Sequence, residues 1–292
     1  MFKGSIAALI TPFLDGQVDE KAFQALVSRQ VAEGSHGVVP CGTTGEAPCL
    51  TEAEHKRVVE LTVEAVSGRI PVIAGCGTNC TEKTIFLARQ SEAAGAGGLL
   101  VVTPYYNKPT QEGLYLHFKA VAGATGLPVL IYNIPGRSAV DMTPETMARL
   151  YEACETIIGV KDATGDPERP LRQAALMGKD FIQLSGDDIT ALEFNQKGGA
   201  GCISVSANIA PGLCSEFQNL CLAGDFEEAG KIHQRLNPLH KNLFVETNPV
   251  PVKYAAHLLG LCRADVRLPL APLGEGSRKI VKSALKDCGI LA

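Results

Sequence analysis

The sequence predicts a closed (β/α)8 barrel with a C-terminal helical extension. Short apolar runs recur along the chain, and each is continuous rather than alternating, as strands buried on both faces should be. Amphipathic segments with helix-start signals lie between them. The spacing of the units, roughly 20–33 residues, makes eight β/α repeats within 292 residues. A doubly wound open sheet would need fewer strands and usually a glycine phosphate loop after the first strand. Here Ile10-Thr11-Pro12-Phe13 follows the first run, and no Walker or dinucleotide fingerprint occurs anywhere.

In chain order the expected strands are Ser5–Ile10, Gly37–Cys41, Ile70–Ala74, Gly98–Val102, Pro128–Tyr132, Ile157–Lys161, Phe181–Ser185 and Gly201–Ser204. Thr51, with Glu54 three residues on, is a capping-box start for a helix reaching about Ser67. Thr81 opens another that ends at Gly95, and Thr143-Pro144 places proline at the first helical position of a third. Beyond the eighth strand the chain is too long for one closing helix. Asp225–Leu236, Pro251–Leu259 and Gly276–Asp287 read as further helices. The turn Ala223-Gly224-Asp225 divides a barrel, 1–224, from a helical domain, 225–292. No low-complexity linker separates them, so the two should pack together.

Composition narrows the function. The net charge of −4 gives no electrostatic footprint for nucleic acid or an anionic membrane. No apolar stretch approaches the roughly 20 residues that span a bilayer, and the N-terminal apolar run is too short for a signal-peptide core. Cytoplasmic placement is expected. The ten cysteines are scattered without a CxxC pair, which reads as free thiols in a reducing compartment. Cys76-x-x-x-Cys80 has no partner pair at zinc-site spacing.

In a barrel, chemistry gathers at the C-terminal strand ends. Those ends read Gly42-Thr43-Thr44-Gly45-Glu46, Thr103-Pro104-Tyr105-Tyr106-Asn107, Tyr132-Asn133-Ile134-Pro135-Gly136-Arg137, Lys161, Ser185-Gly186-Asp187-Asp188 and Ser204-Val205-Ser206-Ala207-Asn208. Hydroxyls, phenols, one arginine and one lysine would meet at one mouth. None of the six histidines falls at such an end, which removes a zinc-dependent aldolase, and no nucleophilic-serine elbow occurs. A lysine closing a buried strand is unusual, because an ammonium resists burial. A free lysine has a pKa of about 10.4. Desolvation lowers such a group toward roughly 7–8, where a neutral fraction can attack a carbonyl. Covalent catalysis by Lys161, with phenol and hydroxyl groups moving protons and a guanidinium holding an anion, is the chemistry left.

These strings, together with Asn248-Pro249-Val250-Pro251-Val252-Lys253, resemble the dihydrodipicolinate synthase family of pyruvate-dependent class I aldolases and lyases, over essentially the whole chain. The resemblance implies condensation of pyruvate with L-aspartate-4-semialdehyde to 4-hydroxytetrahydrodipicolinate, the first committed step toward diaminopimelate and lysine, with no cofactor and no metal. It implies that Lys161 forms the imine with pyruvate and that Tyr132 gives and takes protons. Thr43 would link Tyr132 to Tyr106, with Tyr106 supplied by a neighbouring subunit of a tight dimer, usually one of two in a dimer of dimers. Thr44 and the main chain near Gly186 and Ile203 would hold the pyruvate end, and Arg137 the semialdehyde carboxylate. Lys161 and Tyr132 would equally serve an N-acetylneuraminate lyase or a keto-deoxy-sugar acid aldolase; the double threonine, Tyr106 and Arg137 favour the synthase. A non-catalytic barrel binding a keto acid is the reading from another class, and the amine with its relay partners argues against it.

Two departures from the family pattern stand out. Asp162 replaces the glutamate that many members carry after the lysine, and Ala47-Pro48-Cys49 replaces a more usual Ser-Ala-Thr. The second touches regulation. Lysine-inhibited members bind the end product in a crevice whose matching positions here are Ala47, Pro48, Glu52, His55, Asn79, Lys83 and Tyr105. Sensitive members have an acid in place of Lys83. A cation there repels the ligand's ammonium, so weak or absent feedback by L-lysine is expected.

Overall fold

The computed structural model describes residues 2–291. Eight parallel strands form one sheet: β1 (Gly4–Ala8), β2 (Gly37–Val39), β3 (Ile73–Gly75), β4 (Gly98–Val102), β5 (Val129–Asn133), β6 (Ile157–Asp162), β7 (Ile182–Ser185) and β8 (Gly201–Ser204). Their order is β2-β1-β8-β7-β6-β5-β4-β3. The two ends of that series meet through a parallel bridge between Val38 and Val72, flanked by Val38 N–H to Pro71 O at 3.0 Å and Gly75 N–H to Pro40 O at 2.9 Å. The sheet is therefore closed, as the sequence predicts.

Strand limits differ from the sequence reading where polar groups or proline interrupt the ladder. β1 stops at Ala8 because Ile10 N–H turns to the side-chain oxygen of Asn208, 3.0 Å away. β3 starts late because Pro71 has no N–H to give to the ladder. A small hairpin that the apolar runs did not reveal, Phe13–Leu14 with Gln17–Val18, follows β1. Its turn is Asp15-Gly16, both with positive φ (51° and 81°), the Asp-Gly signature of a two-residue hairpin loop.

Helices α1 (Glu20–Ala32), α2 (Glu52–Val66), α3 (Thr81–Ala93), α4 (Gln111–Ala122), α5 (Pro144–Ala153), α6 (Arg169–Met177), α7 (Ala191–Gln196) and α8 (Pro211–Ala223) return the chain between strands and close the ring. Thr51 and Glu54 make the expected reciprocal capping box, and the Thr143 hydroxyl accepts from Thr146 N–H ahead of Pro144. Three more helices follow: α9 (Phe226–Asn242), α10 (Val250–Leu258) and α11 (Glu275–Asp287). α9 runs past the expected stop at Leu236 and contains Pro238. Tertiary packing outweighs the proline's cost, since Leu236, Leu239, His240 and Leu243 are all buried.

Two apolar layers result. Ile6, Val39, Leu100, Leu130, Leu184 and Ile203 fill the barrel interior, while a larger cluster lies between the strands and the helices. One charged pair interrupts this apolar economy. Lys253 of α10 is fully buried, and its Nζ lies 2.6 Å from Oε1 of Glu46, equally buried in the loop after β2. Glu46 Oε2 accepts from Arg267 N–H at 2.9 Å. Lys253 and Arg267 both lie over the Phe13 ring, at 4.1 and 4.3 Å. Burial pushes the Lys253 ammonium below its ordinary pKa, and the Glu46 carboxylate opposes that shift. Removing one partner strands the other charge. Glu46→Gln is expected to destabilise the fold by about 3–5 kcal/mol, whereas Lys253→Met with Glu46→Leu recovers most of the loss. Urea denaturation of both variants checks this; an unchanged midpoint in Glu46→Gln would remove the pair's structural weight.

Candidate active site

β5 and β6 are adjacent and parallel, with Tyr132 opposite Lys161 and Asn133 opposite Asp162. Side chains alternate along a strand. Tyr132 belongs to the interior cluster, while Asn133 and Asp162 are tied to residues behind the strands. Lys161 is only 6% exposed, and its Nζ lies 4.1 Å from the centroid of the Tyr132 ring. The ring face is a favourable neighbour for an ammonium held away from water.

The loop after β2 delivers Thr43 and Thr44. Its path is fixed by the Thr11 hydroxyl, which donates to Gly45 O at 2.8 Å, and by Gly45 N–H to Gly42 O at 3.1 Å. Glu46 closes the loop in the left-handed region, φ 55°, which costs a non-glycine residue about 1 kcal/mol or more. Its buried ion pair with Lys253 holds it there. Asn248, just before α10, reaches the same loop: its side-chain amide donates to Thr44 Oγ1 at 3.0 Å. The carbonyl of Asn248 accepts from Arg137 Nη2 at 3.3 Å. Arg137 sits on a short helical turn, Pro135–Ser138, directly after β5. A single asparagine thus connects the threonine loop to the guanidinium.

Thr43, Tyr132 and Arg137 line a cavity of about 560 Å³. Lys161 does not line it and lies instead against the Tyr132 ring. The same cavity is lined by Ala47, Pro48, Glu52, His55, Asn79, Lys83 and Tyr105, so the crevice positions share one continuous space with Thr43, Tyr132 and Arg137. His55 is buried with its Nε2 2.8 Å from Gly75 O, and burial holds its pKa below the ordinary imidazole value. Cys41 and Cys76 also border the cavity. Burial raises both thiols, Cys76 to about 12, so neither is a nucleophile. Among the described residues, no group of three or more His, Cys, Asp or Glu side chains is placed to hold a metal ion. No helix among them is long and apolar enough to cross a membrane.

Tyr106 is elsewhere. It is 89% exposed, with φ 72°, on the loop after β4, turned out from the cavity that Tyr105 lines. Gly186 directly follows β7, and Ile203 lies on β8. Gly186 N–H donates to Asp162 O at 2.7 Å, and Ile203 lies beside Ile6 of β1. The turn after Ile203 is pinned by Asp188, a buried carboxylate that accepts from Val205 N–H (2.9 Å), Ser206 N–H (3.0 Å) and the Ser204 hydroxyl (2.5 Å).

Sequence reasoning missed Asp188, Asn248 and the Glu46–Lys253 partnership as structural supports of the mouth. The available signal was polar or charged residues inside apolar runs, such as Lys253 within Val250–Ala256. Partners so far apart in the chain leave no local spacing to read.

The chain was compared with known proteins. The model of the dihydrodipicolinate synthetase family matches residues 1–288. The 4-hydroxy-tetrahydrodipicolinate synthase of Rhodospirillum centenum is 57% identical over 291 residues, covering 100% of both chains. Among solved structures, the dihydrodipicolinate synthase of Acinetobacter baumannii complexed with pyruvate superposes with a TM-score of 0.97 at 46% identity, covering 100% of both chains. The enzyme of Cyanidioschyzon merolae with lysine bound has a TM-score of 0.96 at 38% identity, covering 99% of each chain.

Gly186 offers a test of how closely the site is packed. A Cβ built there would stand 2.6 Å from the Cβ of Ala163 and 3.1 Å from Asp162 O. Gly186→Ala is expected to cost about 1–3 kcal/mol through this overpacking. Calorimetry should show a lowered thermal midpoint, and a midpoint equal to the parent's would mean that β6 and β7 separate freely at this point.

Proposed function

The chain belongs to the dihydrodipicolinate synthetase family, and from that premise we propose that it condenses pyruvate with L-aspartate-4-semialdehyde to 4-hydroxytetrahydrodipicolinate, at the entry to diaminopimelate and lysine synthesis. The observation that carries this reading is the buried Lys161 ammonium against the Tyr132 ring, 4.1 Å from its centroid, with Tyr132 lining one cavity together with Thr43 and Arg137.

In this reading the Lys161 amine attacks the pyruvate C2 carbonyl, and water leaves to give an imine. The imine draws electrons, so the pyruvate methyl can lose a proton to Tyr132, left as a phenolate after giving its own proton to the departing water, and become an enamine. The enamine carbon attacks the semialdehyde carbonyl, and the new alkoxide takes the proton back. The semialdehyde's own amino group then attacks the imine carbon, closing the ring and freeing Lys161. A phenol needs partners to move protons both ways. Thr43 supplies one, and Tyr106 of a second copy supplies the next. A tyrosine this exposed, on a left-handed backbone beside the mouth, supports the borrowed contact. The proposed assembly is a tight dimer, and two such dimers a tetramer. Thr44 and the backbone near Gly186 and Ile203 hold the pyruvate end, and Arg137 holds the semialdehyde carboxylate in two-bond geometry. The chemistry asks for no cofactor. Ten free thiols support placement in the reducing cytoplasm.

Borohydride reduction with pyruvate tests the covalent step. A reduced pyruvate adduct should appear on Lys161 by peptide mass spectrometry and vanish in Lys161→Ala; an adduct that survives the substitution rules out Lys161. Turnover with aspartate semialdehyde, and none with N-acetylneuraminate or keto-deoxygluconate, separates the synthase from its superfamily rivals. The crevice carries a second expectation. Lys83 lines it with a cation where a lysine ligand's ammonium would have to lie. L-lysine should inhibit weakly or not at all, and a submillimolar inhibition constant in steady-state assays would contradict this.

A further inference from the structure

Behind β5 and β6 lies a buried polar network that the reaction as described does not use. It is built on the residues that follow Tyr132 and Lys161 in the chain. Asn133 is fully buried; its amide donates to Asp141 Oδ1 at 2.7 Å, and its oxygen accepts from Met142 N–H at 3.0 Å. Asp162 is 4% exposed. Its Oδ1 accepts from the Thr164 N–H and hydroxyl, at 3.0 and 2.6 Å, and its Oδ2 from Gln173 at 3.0 Å. Between the two stands Arg169, the first residue of α6, also 4% exposed. Its Nε donates to Asp162 Oδ2 at 3.0 Å, and its Nη2 to Asp141 Oδ1 at 3.2 Å and Met142 O at 2.8 Å.

We propose that Arg169 is a positioning residue for the Lys161–Tyr132 pair, its guanidinium tying the β6 end to the β5 end from behind. The proposal rests on the reading of Lys161 and Tyr132 as the reacting pair. Its physical basis is parity. A strand that rotates or slides moves the side chains on both of its faces together. Fixing Asn133 against Asp162 on the outer face therefore fixes Tyr132 against Lys161 on the inner one. Three features make arginine the right residue. It is planar and holds several donors at fixed angles, so it can serve two carboxylates and a carbonyl at once. It balances charge: two carboxylates would otherwise face each other behind a strand end, and Asp162 has almost no contact with water. It also stands at the start of the helix that follows β6, so it couples the end of that strand to the helix. Asp162, where many family members carry the longer glutamate, reaches this guanidinium directly at 3.0 Å. The departure noted in the sequence is thus part of the clamp.

A role in positioning separates two steps that a general loss of stability would lower together. Imine formation is read as borohydride-trapped pyruvate adduct per folded enzyme. Enamine formation is read by NMR as deuterium entering the pyruvate methyl from D2O, which requires Tyr132 to meet the methyl carbon. Arg169→Lys keeps the charge but cannot span both carboxylates. It should still trap adduct at saturating pyruvate, while methyl exchange per adduct falls about tenfold, since misplacement by a fraction of an ångström to 1 Å costs up to about 100-fold. Asp141→Asn, at a half-exposed position, should shift the same ratio in the same direction by a smaller factor. If Arg169→Lys does not fold, Asp141→Asn decides alone. Exchange per adduct within twofold of the parent in every folded variant overturns the proposal, as does a fall in both readouts in proportion to folded fraction. An unsubstituted enzyme that yields no Lys161 adduct overturns the reading of the site, and the positioning role with it.

Discussion

The geometry of the barrel mouth depends on one ion pair that sees no water, Lys253 against Glu46. Two charges at 2.6 Å in an apolar surround are costly to assemble and costlier to separate. The pair joins segments more than 200 positions apart, the loop after β2 and helix α10. Glu46 holds a left-handed backbone that a glutamate would not choose alone. The neighbouring Thr43 and Thr44 inherit their placement from it. The C-terminal helices therefore belong to the site as well as to the fold. They supply the buried ammonium, and the segment just before α10 supplies Asn248, which donates to Thr44 and accepts from Arg137.

A second constraint is the parity of strand side chains. At the ends of β5 and β6 each strand contributes one residue to the barrel interior and the next to its outer side. The inner pair, Tyr132 and Lys161, is close, and Tyr132 packs in the apolar interior cluster. The outer pair, Asn133 and Asp162, is saturated with hydrogen bonds. Such a division is sensible physically. A reactive amine needs a dry, uncommitted environment, and a polar network beside it would compete for its proton. The rigidity that orients it can be built on the opposite face, where both Asn133 and Asp162 bond through each of their side-chain polar atoms. Asp188 repeats this logic at β8, where a buried carboxylate outside the reacting centre gathers the backbone N–H groups after Ile203.

Much of this was legible in the sequence, and the reasons for both success and failure are physical. Continuous apolar runs and threonine caps are local signals, so the eight strands and the starts at Thr51 and Thr143 could be read directly. Lys161 could be read because an ammonium ending an apolar strand violates a strong local rule. Strand limits were less legible: the end of β1 is decided by Asn208, nearly 200 residues away. The Asp15-Gly16 hairpin had a local signal, but its two-residue strands are too short to show a period. The length of α9 was hidden by Pro238, whose penalty is overcome by burial that only the assembled fold provides. The individual strings of the site resemble known motifs, whereas the contacts that hold them, Glu46 to Lys253, Arg169 to Asp162 and Asp141, are tertiary and leave no spacing to detect.

The same tertiary logic explains why position 137 suits arginine. Its guanidinium spends one nitrogen on the carbonyl of Asn248 at 3.3 Å. An arginine has five N–H donors in a fixed plane, so a bond to that carbonyl still leaves an edge able to meet a carboxylate with two parallel bonds. In the proposed role, the carbonyl sets the tilt of the plane before the anion arrives, so that less side-chain freedom is lost on binding. A lysine would place its single charged nitrogen either on the carbonyl or toward the cavity, without a plane to orient. Because Asn248 also holds Thr44, the tilt of the guanidinium edge proposed to meet the anion and the place of the threonine hydroxyl are referred to one residue. The two ends of the mouth are thereby kept in register by a residue that need not touch the reacting atoms at all.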